Sequence, residues 1–244
     1  MTPPLPPAGA PFDQYSAGYD AALEAGLAVS GEGKTYFARG RVTWLQRRLA
    51  QAGLAADRVL DFGCGTGSAA PFLLELLAPR ALVGVDISTP SLEIARREHG
   101  SSRTRFLTPS ELLAEAPFDV AYCNGVFHHI PLGQRDGAVA CVWGALRPGG
   151  TFAFWENNPW NPGTRYVMSR IPFDHDALTL RPAVARALLR RGGFEVVRTD
   201  FLFVFPRTMA WFRGLETLLA RWPLGAQYLV LVRKPRAPSP APNA

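Results

Sequence analysis

The sequence predicts an α/β protein whose seven strands form a mostly parallel, doubly wound sheet with helices on both faces. Two observations carry this prediction. From Arg58 onward, short apolar runs alternate with amphipathic stretches of helical period, which is the pattern of parallel strands linked by covering helices. The first run ends in the glycine-rich turn FGCGTGS, and the next run, Val83–Val85, ends in an acidic residue, Asp86.

The elements follow in order along the chain. Strands are predicted at Val59–Leu60, Val83–Val85, Thr104–Leu107, Phe118–Cys123, Thr151–Trp155, Phe194–Phe205 and Gln227–Val232. Helices are predicted at Tyr36–Gln51, Ser68–Leu77, Leu132–Leu146 and Pro182–Arg191, and two more begin at Thr89 and at the capping box Thr108-Pro109-Ser110-Glu111. Proline just inside a helix start and glycine just past its end mark several of these boundaries.

Three later segments carry more specific expectations. Residues 156–176 are rich in asparagine, proline and aromatic residues and predict an irregular, functional insert. Phe201, Phe203 and Phe205 alternate at period two and predict one shared face of the sixth strand. Residues 208–221 predict an amphipathic helix whose apolar side would pack on the core, dock on a membrane surface or form a dimer interface. That side comprises Trp211, Leu215, Leu218, Leu219 and Trp222.

The glycine-rich turn predicts a ligand site. Gly63, Gly65 and Gly67 form a turn too tight for side chains, so backbone N–H groups can approach a ligand beside a helix N-terminus. Asp86, at the tip of the next strand, is placed to accept two hydrogen bonds from a ribose diol. An adenosine-containing cofactor is therefore expected at the carboxyl edge of the sheet. Residues 65–70 also fit the loose dinucleotide fingerprint, so NAD stays open on these residues alone.

A longer pattern resembles the class I S-adenosylmethionine (SAM) dependent methyltransferases. Its four motifs are Asp61 opening a G-x-G-x-G loop, Asp86 ending the next strand, FDVAYCNGVFHHI at 118–130 and LRPGG at 146–150. The resemblance extends from about residue 58 to residue 155. It implies SAM as the cofactor, a small-molecule methyl acceptor, and an antiparallel last strand in a terminal hairpin, which a dehydrogenase would lack.

The resemblance also implies the cofactor contacts. Asp61 would face the ammonium of SAM, the three glycines would give room to its methionine part, and Asn124 would lie beside its amino group. Asp86, with the neighbouring Ile87, would hold the ribose. Relatives often place an acidic residue against the adenine amine after the third strand. This sequence has no carboxylate there, so Thr108 or the backbone would make that contact.

The region before the sheet predicts a lid. We divide the chain into a disordered N-terminus (1–11), a helical lid (12–56), a methyltransferase domain (57–234) with inserts at 156–176 and 206–225, and a disordered tail (235–244). Tyr15 and Tyr19, four residues apart, share a helix face and would either approach the cofactor, as aromatic lid residues do in relatives, or pack on the domain. Arg39 and Arg41 would reach the cofactor carboxylate or lie on the surface.

Candidate catalytic residues follow strands four and five. A histidine with its ordinary pKa of about 6.5 can accept a proton at neutral pH, so His129, with His128 beside it, is a candidate general base. Glu156 would touch the acceptor or cap the turns of the insert. His175 has only two flanking aspartates, which is far short of a metal site, so no metal is predicted.

Composition bounds the remaining alternatives. The 244 residues carry a formal net charge of +6, but the arginines are scattered, which disfavours nucleic acid as a partner. No apolar run reaches membrane-spanning length, and three cysteines without metal spacing suggest a cytoplasmic setting. The sequence therefore predicts a methyltransferase acting on a small apolar or amphiphilic molecule, at a hydroxyl in preference to carbon or amine. An RNA methyltransferase and a non-catalytic SAM-binding protein are the alternatives.

Overall fold

The computed structural model describes residues 19–171 and 177–236. Its seven strands are β1 (Arg58–Phe62), β2 (Ala81–Val85), β3 (Thr104–Leu107), β4 (Phe118–Asn124), β5 (Leu146–Asn157), β6 (Glu195–Leu202) and β7 (Gln227–Arg233). They form one sheet in the order β3-β2-β1-β4-β5-β7-β6. Strands β1 to β5 pair in parallel, and β7 is antiparallel to both β5 and β6. The predicted fold class, including the antiparallel last strand, is confirmed.

Helices cover both faces of this sheet. They are α1 (Tyr19–Leu27), α2 (Lys34–Gln51), α3 (Ala70–Leu77), α4 (Thr89–His99), α5 (Leu112–Glu115), α6 (Arg135–Ala145), α7 (Pro162–Met168), α8 (Pro182–Arg191) and α9 (Glu216–Leu219). Short 3₁₀ segments span Ala28–Ser30, Leu132–Gln134 and Arg207–Leu215. No helix in these described stretches is long and apolar enough to cross a membrane.

Alternating strand residues divide the core into two layers. Leu60 and Phe62 of β1 point to the layer that contains α6 and α8, whereas Val59 points to the layer that contains α2, α3 and α4. Because both faces are buried, the inner strands are almost uniformly apolar. This burial fixes the carboxyl ends of β1, β2 and β4 side by side, where the glycine turn and Asp86 lie.

Helix α2 is tied to the far edge of the sheet through a buried carboxylate. Asp200 of β6 is fully buried, and its Oδ2 accepts hydrogen bonds from Trp44 Nε1 and Arg48 Nε, both at 2.9 Å. Arg198 pairs with its second oxygen. A buried charge is stable when it is paired and hydrogen-bonded, and here three donors satisfy it. The anchor holds α2 across the sheet and so positions Arg41, which faces the site.

The described part of the predicted insert, residues 156–171, is more regular than predicted. Strand β5 continues to Asn157, and α7 follows, with the Asn161 side chain accepting a hydrogen bond from Thr164 N at its start. The fully buried Asn158 donates to Pro223 O and Gly225 O. The asparagines therefore cap a helix and bridge two loops, a use that composition alone does not distinguish from irregular structure.

The predicted shared face of Phe201, Phe203 and Phe205 is wrong. Strand β6 ends at Leu202, and Phe203 has a φ of +64°. This turn breaks the period-two alternation, so Phe201 packs in one core layer and Phe203 in the other. Phe203 then contacts the rings of Tyr36 and Phe37 on α2.

The predicted amphipathic helix at 208–221 is also wrong. The segment forms a 3₁₀ run with non-helical backbone at Met209, followed by the single turn α9. Because the helical period is lost, most of its apolar residues do not reach the core: Trp211 is 77% exposed and Leu218 is 74% exposed.

Several helix starts differ from the prediction by a few residues: α2 begins at Lys34, α3 at Ala70 and α6 at Arg135. Ser88 caps α4, with Thr89 already helical. Glu111 reaches back to Thr108 N as in a capping box, but α5 begins only at Leu112, so the box closes a turn.

Candidate functional site

The glycine turn connects β1 to α3 at the carboxyl edge of the sheet. Gly63, Gly65 and Gly67 all have positive φ, between +52° and +79°. Gly63 N and Cys64 N both donate to Val85 O, which fastens the turn to β2. This backbone is accessible to glycine and strained for other residues, as the sequence predicted.

The glycines differ in what surrounds them. A Cβ on Gly63 would lie 2.3 Å from Val126 Cγ2, whereas a Cβ on Gly65 would meet nothing within 4 Å. Gly63 therefore packs against the protein, and Gly65 faces open space where a ligand can approach.

We expect Gly63→Ala to destabilise the fold more than Gly65→Ala. Both substitutions impose left-handed backbone strain of about 1–2 kcal/mol, but only Gly63→Ala adds overpacking of about 1–3 kcal/mol. Urea unfolding of the two variants measures the difference. Equal losses of stability would contradict the packing assigned to Gly63.

Asp86 joins the turn to the start of α4. Its Oδ2 accepts a hydrogen bond from Gly65 N at 2.8 Å, and its Oδ1 accepts one from Ser88 N at 2.9 Å. The following Ile87 is half-buried. The carboxylate therefore lies at the tip of β2, as predicted, beside the open side of Gly65.

Asp61 lies at the end of β1 in a buried and unusual state. Its side chain is 3% exposed, and no donor among the described residues reaches its Oδ2. Burial, and then the nearby charge of Asp86, raise the pKa of Asp61 to about 7, while Arg41 opposes the shift. Asn124 Oδ1, at the end of β4, is a second buried acceptor with no donor in the described structure. Two such acceptors at one edge suit a ligand that carries N–H donors.

The two arginines of α2 that were candidates for the cofactor carboxylate have different surroundings. Arg39 forms an ion pair with Glu75 and does not line the cavity described below. Arg41 is buried, donates to Tyr122 Oη at 3.0 Å and to Gln227 Oε1 at 2.9 Å, and lines the cavity. Residues two apart on a helix point to nearly opposite sides, which explains the difference. Within the described chain Arg41 forms no ion pair with a carboxylate, so its cation suits an anionic ligand group.

Other predicted cofactor residues are less informative. Thr108 Oγ1 hydrogen-bonds to Glu111 and Ser110, so its hydroxyl is occupied by its own turn. Tyr15 lies outside the described residues, and Tyr19 begins α1 but its side chain is not among those described.

His175 also lies outside the described residues. In the described parts of the chain no group of three or more candidate ligands could hold a metal ion.

A cavity of about 400 Å³ opens beside Asn124 and Gly125. Its walls come from the α1–α2 region, the loop after β4, α7 and residues 203–206. The lining is mainly apolar and aromatic, with Phe37, Met168, Ile171 and Phe205 among its members. Such a lining with a few polar groups is typical of a small-molecule site.

His128 lies on the wall of this cavity and forms a buried pair with Glu156, which is not among the lining residues. His128 Nδ1 lies 2.5 Å from Glu156 Oε2, and both side chains are almost fully buried. Glu156 Oε1 accepts hydrogen bonds from the backbone N–H groups of Phe127 and His128. The ring of His129, which also lines the cavity, is 4.0 Å from the ring of His128. One carboxylate thus fixes both the loop after β4 and the orientation of His128.

Arg135 supports this pair and was missed from the sequence. It is buried at the start of α6, donates to Ile130 O and Leu178 O, and interacts electrostatically with Glu156. Burial lowers the pKa of Arg135, and the charge of Glu156 opposes this. A cation in the first turn of a helix opposes the helix dipole, and this was the available signal for a special role.

Known proteins are similar to this chain in sequence. A family model described as a methyltransferase domain matches residues 60–152. The ubiquinone biosynthesis O-methyltransferase of Pseudomonas aeruginosa is 30% identical over 174 residues, which cover 64% of this chain and 71% of that protein. The protein of the same name from Pseudomonas fluorescens is 31% identical over 174 residues, with the same coverage. The chain belongs to the class I SAM-dependent methyltransferases.

Solved structures of methyltransferases have the same fold. A SAM-dependent methyltransferase from Archaeoglobus fulgidus superposes with a TM-score of 0.59 at 17% identity, covering 83% of this chain and 95% of that one. A TehB-like SAM-dependent methyltransferase from Corynebacterium glutamicum gives 0.57 at 18% identity, covering 91% and 99%. The methyltransferase uses SAM as its cofactor, which confirms the predicted cofactor and enzyme class. The orphaned acceptors of Asp61 and Asn124 and the cation of Arg41 fit the ammonium and carboxylate of its methionine part.

Proposed function

We propose that this methyltransferase methylates a hydroxyl group of a small apolar or amphiphilic molecule, with His128 as the general base. The observation that carries the proposal is the buried contact of Glu156 with His128, which lines the cavity. A base is needed when the acceptor must lose a proton, as a hydroxyl does, and a carboxylate that orients the imidazole makes it effective. This choice differs from His129, the base that the sequence alone favours, because it is His128 whose ring nitrogen meets Glu156.

Most residues of the site position SAM and the acceptor, and one residue takes the proton. When bound, SAM supplies an electrophilic methyl group. We assign its ammonium to Asp61 and Asn124, its carboxylate to Arg41 and its ribose to Asp86. The cavity walls hold the acceptor in line and exclude water. His128 takes the hydroxyl proton at the ring nitrogen that does not face Glu156, so that the acceptor oxygen would be free to receive the methyl group that bound SAM supplies.

Two observations support the acceptor class. The cavity lining is mainly apolar and aromatic, so it favours an apolar or amphiphilic molecule. The curated relatives are named as O-methyltransferases, which supports a hydroxyl. The sequence between α1 and α2 contributes Val29, Ser30 and Glu32 to the cavity, which supports a lid function for residues 12–56.

A matched acceptor series tests the hydroxyl assignment. We expect alkylphenols to be methylated at least tenfold faster than the corresponding alkylanilines, because a phenol with a pKa of about 10 gains most from a histidine base. The rate should rise with alkyl length until the cavity is filled. Formation of S-adenosylhomocysteine and the mass of the product measure both trends.

Catechols and aliphatic alcohols with the same chains extend the series. Methylation of the anilines but of none of the hydroxyl compounds would overturn the hydroxyl assignment. The same series without protein gives the uncatalysed background.

A further inference from the structure

A group of apolar side chains stands exposed on residues 207–224. We call it the apolar rim; it consists of Met209, Trp211, Phe212, Leu215, Leu218, Trp222 and Leu224, each at least 39% exposed. Single exposed apolar residues are ordinary on protein surfaces, but seven within residues 209–224, two of them tryptophans, mark an interaction site. The rim does not belong to the core, because neither the 3₁₀ run nor α9 has a buried residue.

The rim adjoins the opening of the cavity. The lining residues Phe205 and Pro206 lead directly into it, and the rings of Phe205 and Phe212 are 5.6 Å apart. The cavity meets solvent at its exposed lining residues Val29, Gly163 and Pro206. Two further hydrogen bonds attach the rim to the neighbouring walls, from Arg207 Nη1 to Gly31 O and from Asn161 Nδ2 to Leu224 O. The apolar rim thus lies next to residues that line the cavity.

The charges of this surface indicate the partner. Glu216 is the one carboxylate in residues 204–224, and its Oε1 accepts hydrogen bonds from Val204 N and Phe205 N. Arg213 is paired with Glu32. Arg207 and Arg221 are exposed, and neither forms an ion pair within the described chain. A second copy facing this surface would bring arginine against arginine without exposed carboxylates to pair with them.

We propose that the apolar rim docks on the surface of an anionic lipid bilayer, with the cavity opening toward the lipid. Tryptophan and leucine insert at the boundary between headgroups and acyl chains, and the flanking arginines attract anionic headgroups. The docking itself does not depend on which reaction the protein catalyses. If the proposed function holds, an amphiphilic acceptor dissolved in the bilayer reaches the cavity without crossing water, and this consequence rests on the proposed function.

Sedimentation of the full chain with vesicles tests the docking. We expect binding to phosphatidylcholine vesicles that contain phosphatidylglycerol to be at least tenfold tighter than to phosphatidylcholine alone, and to weaken as salt is raised. Trp211→Ser with Leu218→Ser should weaken binding at least tenfold, since both side chains are exposed and the fold does not need them. Arg207→Gln with Arg221→Gln should weaken binding to the anionic vesicles roughly twenty-fivefold, because each arginine contributes about fivefold.

A matched control uses exposed apolar residues on the other sheet face. Leu113→Ser with Val184→Ser, on α5 and α8, should leave vesicle binding unchanged. Equal vesicle binding by the rim variant and the wild type would overturn the proposal. Absence of vesicle binding, together with a dimer that the rim variant loses in sedimentation velocity, would overturn it in favour of a second copy. Methylation of a water-soluble phenol, measured in parallel, reports separately on the proposed function.

Discussion

Glu156→Gln should lower kcat for a phenolic acceptor by a factor of about 10²–10⁴, the range that general-base catalysis contributes, while the KM for SAM stays within a few fold. The reason lies in the hydrogen bonds of the carboxylate. Its Oε1 accepts from Phe127 N and His128 N, and its Oε2 faces His128 Nδ1. In the variant the amide oxygen must take the place that faces the two backbone N–H groups. The amide NH₂ then faces Nδ1 and makes that nitrogen an acceptor.

The variant therefore puts the imidazole in the wrong tautomer. With Nδ1 accepting, the proton of a neutral ring sits on Nε2, which can no longer take the acceptor's proton. His128→Ala should lower kcat by a similar factor, and the double variant should be no worse than either single one, because the two residues act as a unit. Steady-state kinetics at saturating SAM measure these effects.

Glu216→Gln is the matched control. Glu216 also receives two backbone N–H groups on one carboxylate oxygen, from Val204 and Phe205, but among the described residues no histidine hydrogen-bonds to it. Its kcat should stay within about threefold of the wild type. If Glu156→Gln kept the wild-type kcat, or if additive losses appeared in the double variant, the proposed base would be wrong.

The fold and the cofactor loop were predictable because their signals are local. Buried strands appear as apolar runs, and the turn at Gly63–Gly67 needs positive φ at each glycine, which few other residues adopt. Strand boundaries such as Thr104–Leu107 follow from the same pattern. The predictions that were wrong depend on tertiary geometry. The backbone turns at Phe203, where φ is positive, but the residue is not a glycine, so no sequence signal marks the end of β6.

The candidate site was predictable only in part for the same reason. The sequence placed His128, His129 and Glu156 after adjacent strands, and parallel strands bring their carboxyl ends together, so their proximity was expected. Which histidine meets the carboxylate depends on the turn after β4, where Gly125 adopts a positive φ. The choice between Arg39 and Arg41 likewise depends on how the buried Asp200 fixes the rotation of α2.

The affinity for SAM should fall as the pH is lowered below 7, and Asp61→Asn should remove this dependence. The pKa of Asp61 is raised to about 7, chiefly by burial, so the cofactor-free protein is about half protonated there at neutral pH. An ammonium beside the carboxylate favours its ionised form. Binding must therefore release the proton, and the dissociation constant should rise by up to tenfold for each pH unit below 7.

Calorimetry in buffers of different ionisation enthalpy measures this proton directly. We expect about half a proton to be released per SAM bound at pH 7, and almost none at pH 8. Asp61→Asn should weaken binding at pH 7.5 by roughly ten- to a hundredfold, the value of a hydrogen bond to a charged group, and should bind with a flat profile between pH 5.5 and 7. Asp119→Asn, at the opposite end of β4, is the control and should keep the wild-type profile.

The ionised Asp61 carboxylate should have the opposite effect on the stability of the cofactor-free protein, which it should lower. Because the folded pKa of Asp61 lies above its ordinary value of 3.8, its contribution to stability is fully present below about pH 4 and is lost as the pH rises through 7. Asp61→Asn removes this buried charge, so at pH 8 its free energy of unfolding should exceed that of the wild type by a few kcal/mol, since each pKa unit corresponds to about 1.4 kcal/mol. A carboxylate that lowers the stability of the cofactor-free protein but strengthens SAM binding has its function in binding the cofactor. A variant that lost stability at pH 8 while keeping wild-type SAM affinity would show instead that Asp61 serves the fold alone.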